Sequence, residues 1–204
     1  MNTRIKQLTF ILLLGLVSFT TQAQESAFGV KGGLNMSNFF TENVDDENLR
    51  TGLNFGVYSR SALVEDVLYL QAELGYSGKG AKIEGDAGEA ELGLGYLELP
   101  IMASVGVADL FYVEGGAYAS YLLDANVSGE SVLSNEPFER EIGTDNFKDF
   151  DYGLAVGANV NLSPIVVGVR YYYGLQDIVD NDIASFSGIE ARNSTFQAYV
   201  AFEF

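Results

Sequence analysis

The 204-residue chain has no cysteine, no histidine, no tryptophan and only three prolines, and it carries 11 basic side chains against 28 acidic ones. Each shortage removes a class of protein. Without cysteine there is no disulfide framework, thiolate metal site, thiol nucleophile or N-terminal lipoprotein anchor. Without histidine the commonest metal ligand and the commonest general base are missing, so no cofactor or metal is expected. A net charge of −17 excludes nucleic acid as a partner, because binding to the phosphate backbone depends on Lys and Arg releasing condensed counterions. What is present is 48% apolar composition with 23 Gly, 12 Tyr and 14 Phe. That is too hydrophobic for a disordered acidic chain and amounts to a single domain.

Residues 1–23 open with Arg4 and Lys6, continue through the apolar run Leu8 to Phe19 and end at Thr21-Gln22-Ala23. Small residues at the −3 and −1 positions make this a secretory signal peptide cut before Gln24. A transmembrane anchor is the competing reading, but the apolar core is half of the ~20 residues that a helix needs to cross a bilayer. The expected domain is therefore 24–204, with 9 basic and 28 acidic residues and a net charge of −19. No later stretch approaches the length of a spanning helix.

From Phe28 onward the pattern alternates at period two. Eight strands are predicted, at about 28–38, 51–60, 67–80, 92–105, 110–123, 148–162, 165–176 and 193–204. The connections alternate between short ones, at 61–66, 106–109 and 163–164, and long ones, at 39–50, 81–91, 124–147 and 177–192. Antiparallel strands reverse direction each time, so the long connections share one end of an up-and-down sheet.

One face of each strand is apolar: Leu53, Phe55 and Val57 in the second, Leu97, Leu99 and Ile101 in the fourth, Phe196, Val200, Phe202 and Phe204 in the last. The other face carries Tyr, Gly and ionisable groups. Alternation alone does not distinguish a membrane barrel with its apolar face outward from a soluble sandwich with it inward. Strands of 10 to 15 residues exceed the usual soluble length and suit a tilted crossing of the bilayer. Glycines interspersed among Tyr and Arg suit a narrow lumen, where large side chains interleave with absent ones. The chain also ends on Phe202-Glu203-Phe204, the aromatic terminal strand by which outer-membrane barrels resemble one another. The expected fold is an all-β, eight-stranded antiparallel up-and-down transmembrane β-barrel in the cell outer membrane, in contact with outer-membrane lipid.

Several fragments carry a family resemblance: Phe28-Gly29-Val30-Lys31-Gly32-Gly33-Leu34-Asn35, Tyr96-Leu97-Glu98-Leu99-Pro100, and Tyr112-Val113-Glu114-Gly115-Gly116 with Tyr118 and Tyr121. Phe150-Asp151-Tyr152-Gly153-Leu154 with Gly157, and Gly168-Val169-Arg170-Tyr171 with Gly174-Leu175, complete the set. In order and spacing these resemble the PorT-like outer-membrane β-barrels of Bacteroidetes, over essentially the whole chain after the signal peptide. The resemblance implies fold and location. The name-giving member is associated with gliding and type IX secretion, a role the resemblance does not carry over.

The candidate site is an ionisable network in the lumen: Lys31, Arg60, Glu73, Lys79, Glu98, Glu114, Asp151 and Arg170. It reads either as a path for protons, cations or a solute, or as a salt-bridged plug, and the narrowness of an eight-stranded lumen favours the plug. The long loops hold 18 acids, including Glu42, Asp45, Asp86, Glu136, Asp145, Asp180 and Glu190, against Arg50, Lys82, Arg140 and Arg192. This rim reads as solvation and as a surface for a protein partner rather than a calcium site, because no loop has the D-x-[DN]-x-[DN]-G spacing. An enzyme is not expected, since barrel hydrolases and acyltransferases generally rely on a His. The functional expectation is a structural or interaction protein at the cell surface or in a secretion-type assembly, with a small channel or transporter as the alternative.

Overall fold

The computed structural model describes residues 26–40, 49–65, 67–85, 88–130, 137–141, 144, 147–178 and 192–204. The proposed signal peptide and much of the acidic loops, including Glu42, Asp45, Asp46, Glu47, Glu136, Asp145, Asp180, Asp182 and Glu190, lie outside them.

Among the described residues there are nine strands: β1 (Ser26–Phe40), β2 (Arg50–Val64), β3 (Leu68–Gly85), β4 (Gly88–Ala108), β5 (Phe111–Glu130), β6 (Pro137–Glu141), β7 (Phe150–Asn161), β8 (Ile165–Asp177) and β9 (Arg192–Glu203). Eight of them form one antiparallel ring in the order β4-β3-β2-β1-β9-β8-β7-β5, closed by the β4–β5 pairing. The first and last strands meet in an unbroken ladder from Gly29↔Glu203 to Phe40↔Arg192. Closure pairs the backbone all the way round, which is the condition for a sheet to sit in hydrocarbon. The eight-stranded antiparallel barrel expected from the alternation is the fold observed.

Burial decides between barrel and sandwich. Leu53, Phe55, Leu154, Val156 and Val200 are more than half exposed on the outer wall, whereas Lys79, Glu73, Asp151 and Arg170 are at most 4% exposed. In a water-soluble protein charged residues are almost never buried while a continuous band of Leu, Val and Phe faces out. The inside-out distribution fits lipid outside and a packed polar interior.

The lumen fills because small and large side chains alternate around it. A Cβ on Gly29 would lie 2.5 Å from Tyr58 Cζ, and one on Gly168 would lie 2.5 Å from Tyr199 Cζ. Each glycine is thus the seat of a tyrosine ring from a nearby strand.

At the outer end the structure corrects the expected connections. Segment 81–91, read as a loop, continues the β3–β4 ladder through Lys82↔Glu91 to Gly85↔Gly88. Segment 124–147 also starts as strand: β5 runs on to Glu130 and pairs with β6 through Asn126↔Glu141 to Glu130↔Pro137. The apolar alternation that marks a strand is demanded only by lipid. Beyond the bilayer the backbone keeps pairing while the side chains turn to Gly, Ala, Lys and Glu, a composition that reads as a loop. A bulge between Gly95/Tyr96 on β4 and Leu122/Asp124 on β5 shifts the register there, so that Leu122 and then Ala125 face inward.

Candidate functional site

The ionisable residues of the alternating inner face form three layers along the lumen. Nearest the short turns, Arg60 on β2 pairs with Glu203 on β9 at 3.0 Å. Tyr58 donates to the other carboxylate oxygen at 3.1 Å. The guanidinium lies over the rings of Tyr69 and Tyr112, 4.8 and 5.8 Å from their centroids. Glu203 was recognisable as inward-facing from the alternation, but its partnership with Arg60 was not, since it depends on the seam between the first and last strands.

The middle layer centres on Arg170 of β8. Its Nη1 donates to Glu73 Oε1 on β3 at 2.8 Å, and its Nε and Nη2 donate to Glu114 Oε2 on β5 at 3.0 and 2.7 Å. One side chain therefore ties strands from opposite parts of the ring. Lys31 of β1 completes the layer at 2.6 Å from Glu73 and donates to Gln197 at 3.0 Å. The remaining carboxylate valences are also filled: Gln71 donates to Glu73, while Asn159 and Tyr199 donate to Glu114. Two cations meet two carboxylates, and charge-assisted bonds of this kind are about twice as strong as neutral ones.

Toward the outer end Lys79 forms an ion pair with Glu98 and stands 3.8 Å from Asp151 Oδ2. Its ammonium is ringed by tyrosines, with the centroid of Tyr118 at 4.4 Å and those of Tyr96 and Tyr172 at 5.4 Å. Asp151 Oδ2 accepts from Asn193 at 2.9 Å and from Tyr118 at 3.2 Å. Above this layer Leu94, Tyr96, Leu122, Ala125 and Ile178 make an apolar cluster, with Leu92 and Phe147 packed against it. Backbone bonds from Lys148 to the Ile178 carbonyl and from Leu122 to the Asp149 carbonyl hold the cluster in place. Sequence reading missed this cap because Leu122 and Ala125 share a face only by virtue of the bulge.

The structure thus brings seven of the eight candidates together in two adjoining layers and places Arg60 in a separate pair. Glu73 and Glu114 share Arg170, whereas Glu98 turns to Lys79. A small cavity of about 20 Å³ lies among Lys31, Asn54, Glu73, Glu98 and Gln197, room for about one water. Among the described residues no three Asp, Glu, His or Cys side chains are placed to hold a metal ion. At the rim, Arg50 lies 3.9 Å from Glu91 and Arg192 3.0 Å from Asp177.

No curated protein matches the sequence. Among solved structures, Neisserial surface protein A is similar with a TM-score of 0.51 at 14% identity, over 88% of this chain and all of that one. Ail, the attachment invasion locus protein of Yersinia pestis, has a TM-score of 0.49 at 13% identity, over 89% of this chain and 100% of its own. A major outer membrane protein from Thermus thermophilus has 0.49 at 12%, with the same coverage. At 14% identity the likeness to Neisserial surface protein A is one of fold alone. The family model described as "Outer membrane protein beta-barrel domain" matches residues 22–180, and with the closed ring and the lipid-facing wall it follows that this chain belongs to that outer-membrane β-barrel family and resides in the cell outer membrane.

Proposed function

We propose that this protein is a closed, non-enzymatic barrel that acts through its outer surface, as a structural or interaction component of the cell surface or of a secretion-type assembly. The observation that carries this reading is the packing of the lumen among the described residues: three ionic layers of nearly fully buried side chains under an apolar cap. The lumen carboxylates are engaged in ion pairs and hydrogen bonds, and the chain has no His or Cys to supply a nucleophile–base pair. Residues 1–23 act as the signal peptide and 24–204 as the barrel domain, with the short turns in the periplasm and the extended β3–β4 and β5–β6 sheet outside. The fragments around Lys31, Glu98, Glu114, Asp151 and Arg170 support a PorT-like branch of the family. The outer sheet and its acidic loops are the surface offered to a protein partner.

The test is single-channel recording of purified protein in planar bilayers. Electrical silence is expected. Steady conductance would replace this reading with that of a small channel for cations or other small solutes.

A further inference from the structure

The lumen section between the Arg60–Glu203 pair and the apolar cap does not balance in charge. Among the described residues it holds four acids, Glu73, Glu98, Glu114 and Asp151, against three cations, Lys31, Lys79 and Arg170, and six of the seven are at most 6% exposed. The middle layer is neutral by itself. The surplus falls in the outer layer, where Lys79 is paired with Glu98 and only approaches Asp151, at 3.8 Å. Asp151 is also the acid whose two oxygens are treated most unequally. Lys79, Asn193 and Tyr118 all address Oδ2, while Oδ1 is buried with no donor. Asn193, the β9 residue that donates to Oδ2, also has its own buried Oδ1 without a partner. A buried carboxylate oxygen with no donor is an electrostatically poor arrangement, and a hydrogen on that oxygen would relieve it.

We propose that Asp151 is a proton-binding site: in the folded barrel at neutral pH it is a carboxylic acid, with the proton on Oδ1 and Oδ2 free to accept its donors. The proton comes from bulk water and makes the outer layer neutral. An alkali cation is a poorer occupant, because the one-water cavity lies beside Lys31, Glu73 and Glu98 and does not reach Asp151. The groups facing Asp151 are Lys79 from β3, Glu98 and Tyr96 from β4, Tyr118 from β5 and Asn193 from β9, with Tyr172 of β8 packed against Lys79 and Tyr118, and Lys148 and Asp149 just before it in its own segment. Among them Lys79 is the cation that Glu98 and Asp151 both address. Loss of the proton draws Lys79 toward Asp151 and away from Glu98, so the layer beneath the cap responds to pH. The inference rests on the closed-lumen reading, since an open, hydrated lumen would let Asp151 ionise freely.

Infrared spectroscopy of the full-length barrel in lipid, with and without ¹³C-labelled aspartate, tests it. At neutral pH the wild type is expected to show the carbonyl stretch of a protonated carboxyl that shifts with the label, because exposed aspartates are ionised there. Asp151→Asn removes the band and keeps wild-type melting, the amide replacing the acid with the same donor and acceptor. Glu98→Gln also removes it, because Lys79 then has only Asp151 to neutralise. Absence of the band from the wild type, or its survival in Asp151→Asn, overturns the assignment. A band that fades as sodium replaces choline at constant pH gives the site to an alkali cation and overturns it as well. Conductance tests the closed lumen separately, so a silent barrel without the band defeats this inference alone.

Discussion

Arg170 and Glu73, 97 positions apart in the chain, meet across the lumen at 2.8 Å, with Arg170 fully enclosed and Glu73 nearly so. The same guanidinium holds Glu114, so a single cation pins β8 to both β3 and β5. Removing one partner of a buried pair leaves the other charge stranded, which makes this side chain the keystone of the middle layer.

Arg170→Ala leaves Glu73 with Lys31 alone and Glu114 with no cation. A loss of about 3–5 kcal/mol is expected, read as a lower temperature for the shift in heat-modifiable gel migration. A variant that melts with the wild type would show that the layer contributes nothing.

Gly29→Val places a side chain where the Tyr58 ring lies. Overpacking of this kind costs about 1–3 kcal/mol. In the double variant Gly29→Val/Tyr58→Ala the vacated volume accepts the valine, so the two effects are expected to be non-additive. Denaturant unfolding of the two single variants and the double variant measures the coupling.

Val156 is 58% exposed at the middle of β7. On a lipid-facing wall Val156→Arg costs about 2–4 kcal/mol near the bilayer midplane, whereas on a water-facing surface it would be neutral. Folding efficiency into liposomes distinguishes the two.

The β3–β4 ladder beyond Lys82↔Glu91 stands outside the ring that closes the barrel. Replacing residues 83–90 with Asn-Gly, the preferred two-residue hairpin turn, is expected to leave heat-modifiable migration and melting unchanged. A clear fall in melting would make this extension part of the folding core.

The alternation of Leu, Val and Phe with Tyr, Gly and charge determined strand number and sorted the residues into two faces; strand length, the glycines of the polar face and the terminal Phe202-Glu203-Phe204 pointed to the membrane, and burial decided that the apolar face is the outer one. The same signal grouped Glu73, Glu98, Glu114, Asp151 and Arg170 on the polar face. It lapsed where lipid stops requiring it, at 81–91 and 124–130, so the outer strands passed for loops. Partnership was decided only by tertiary structure. Whether Arg170 meets Glu73, Glu114 or Glu98 depends on strand tilt and stagger around a closed ring, and the Arg60–Glu203 pair on which strands form the seam. The bulge at Leu122–Asp124 brings Ala125 under Leu94 against the alternation. The excess of acid was plain in composition. That two buried acids, Glu98 and Asp151, share the one cation Lys79 became visible only when the ring had assigned the others.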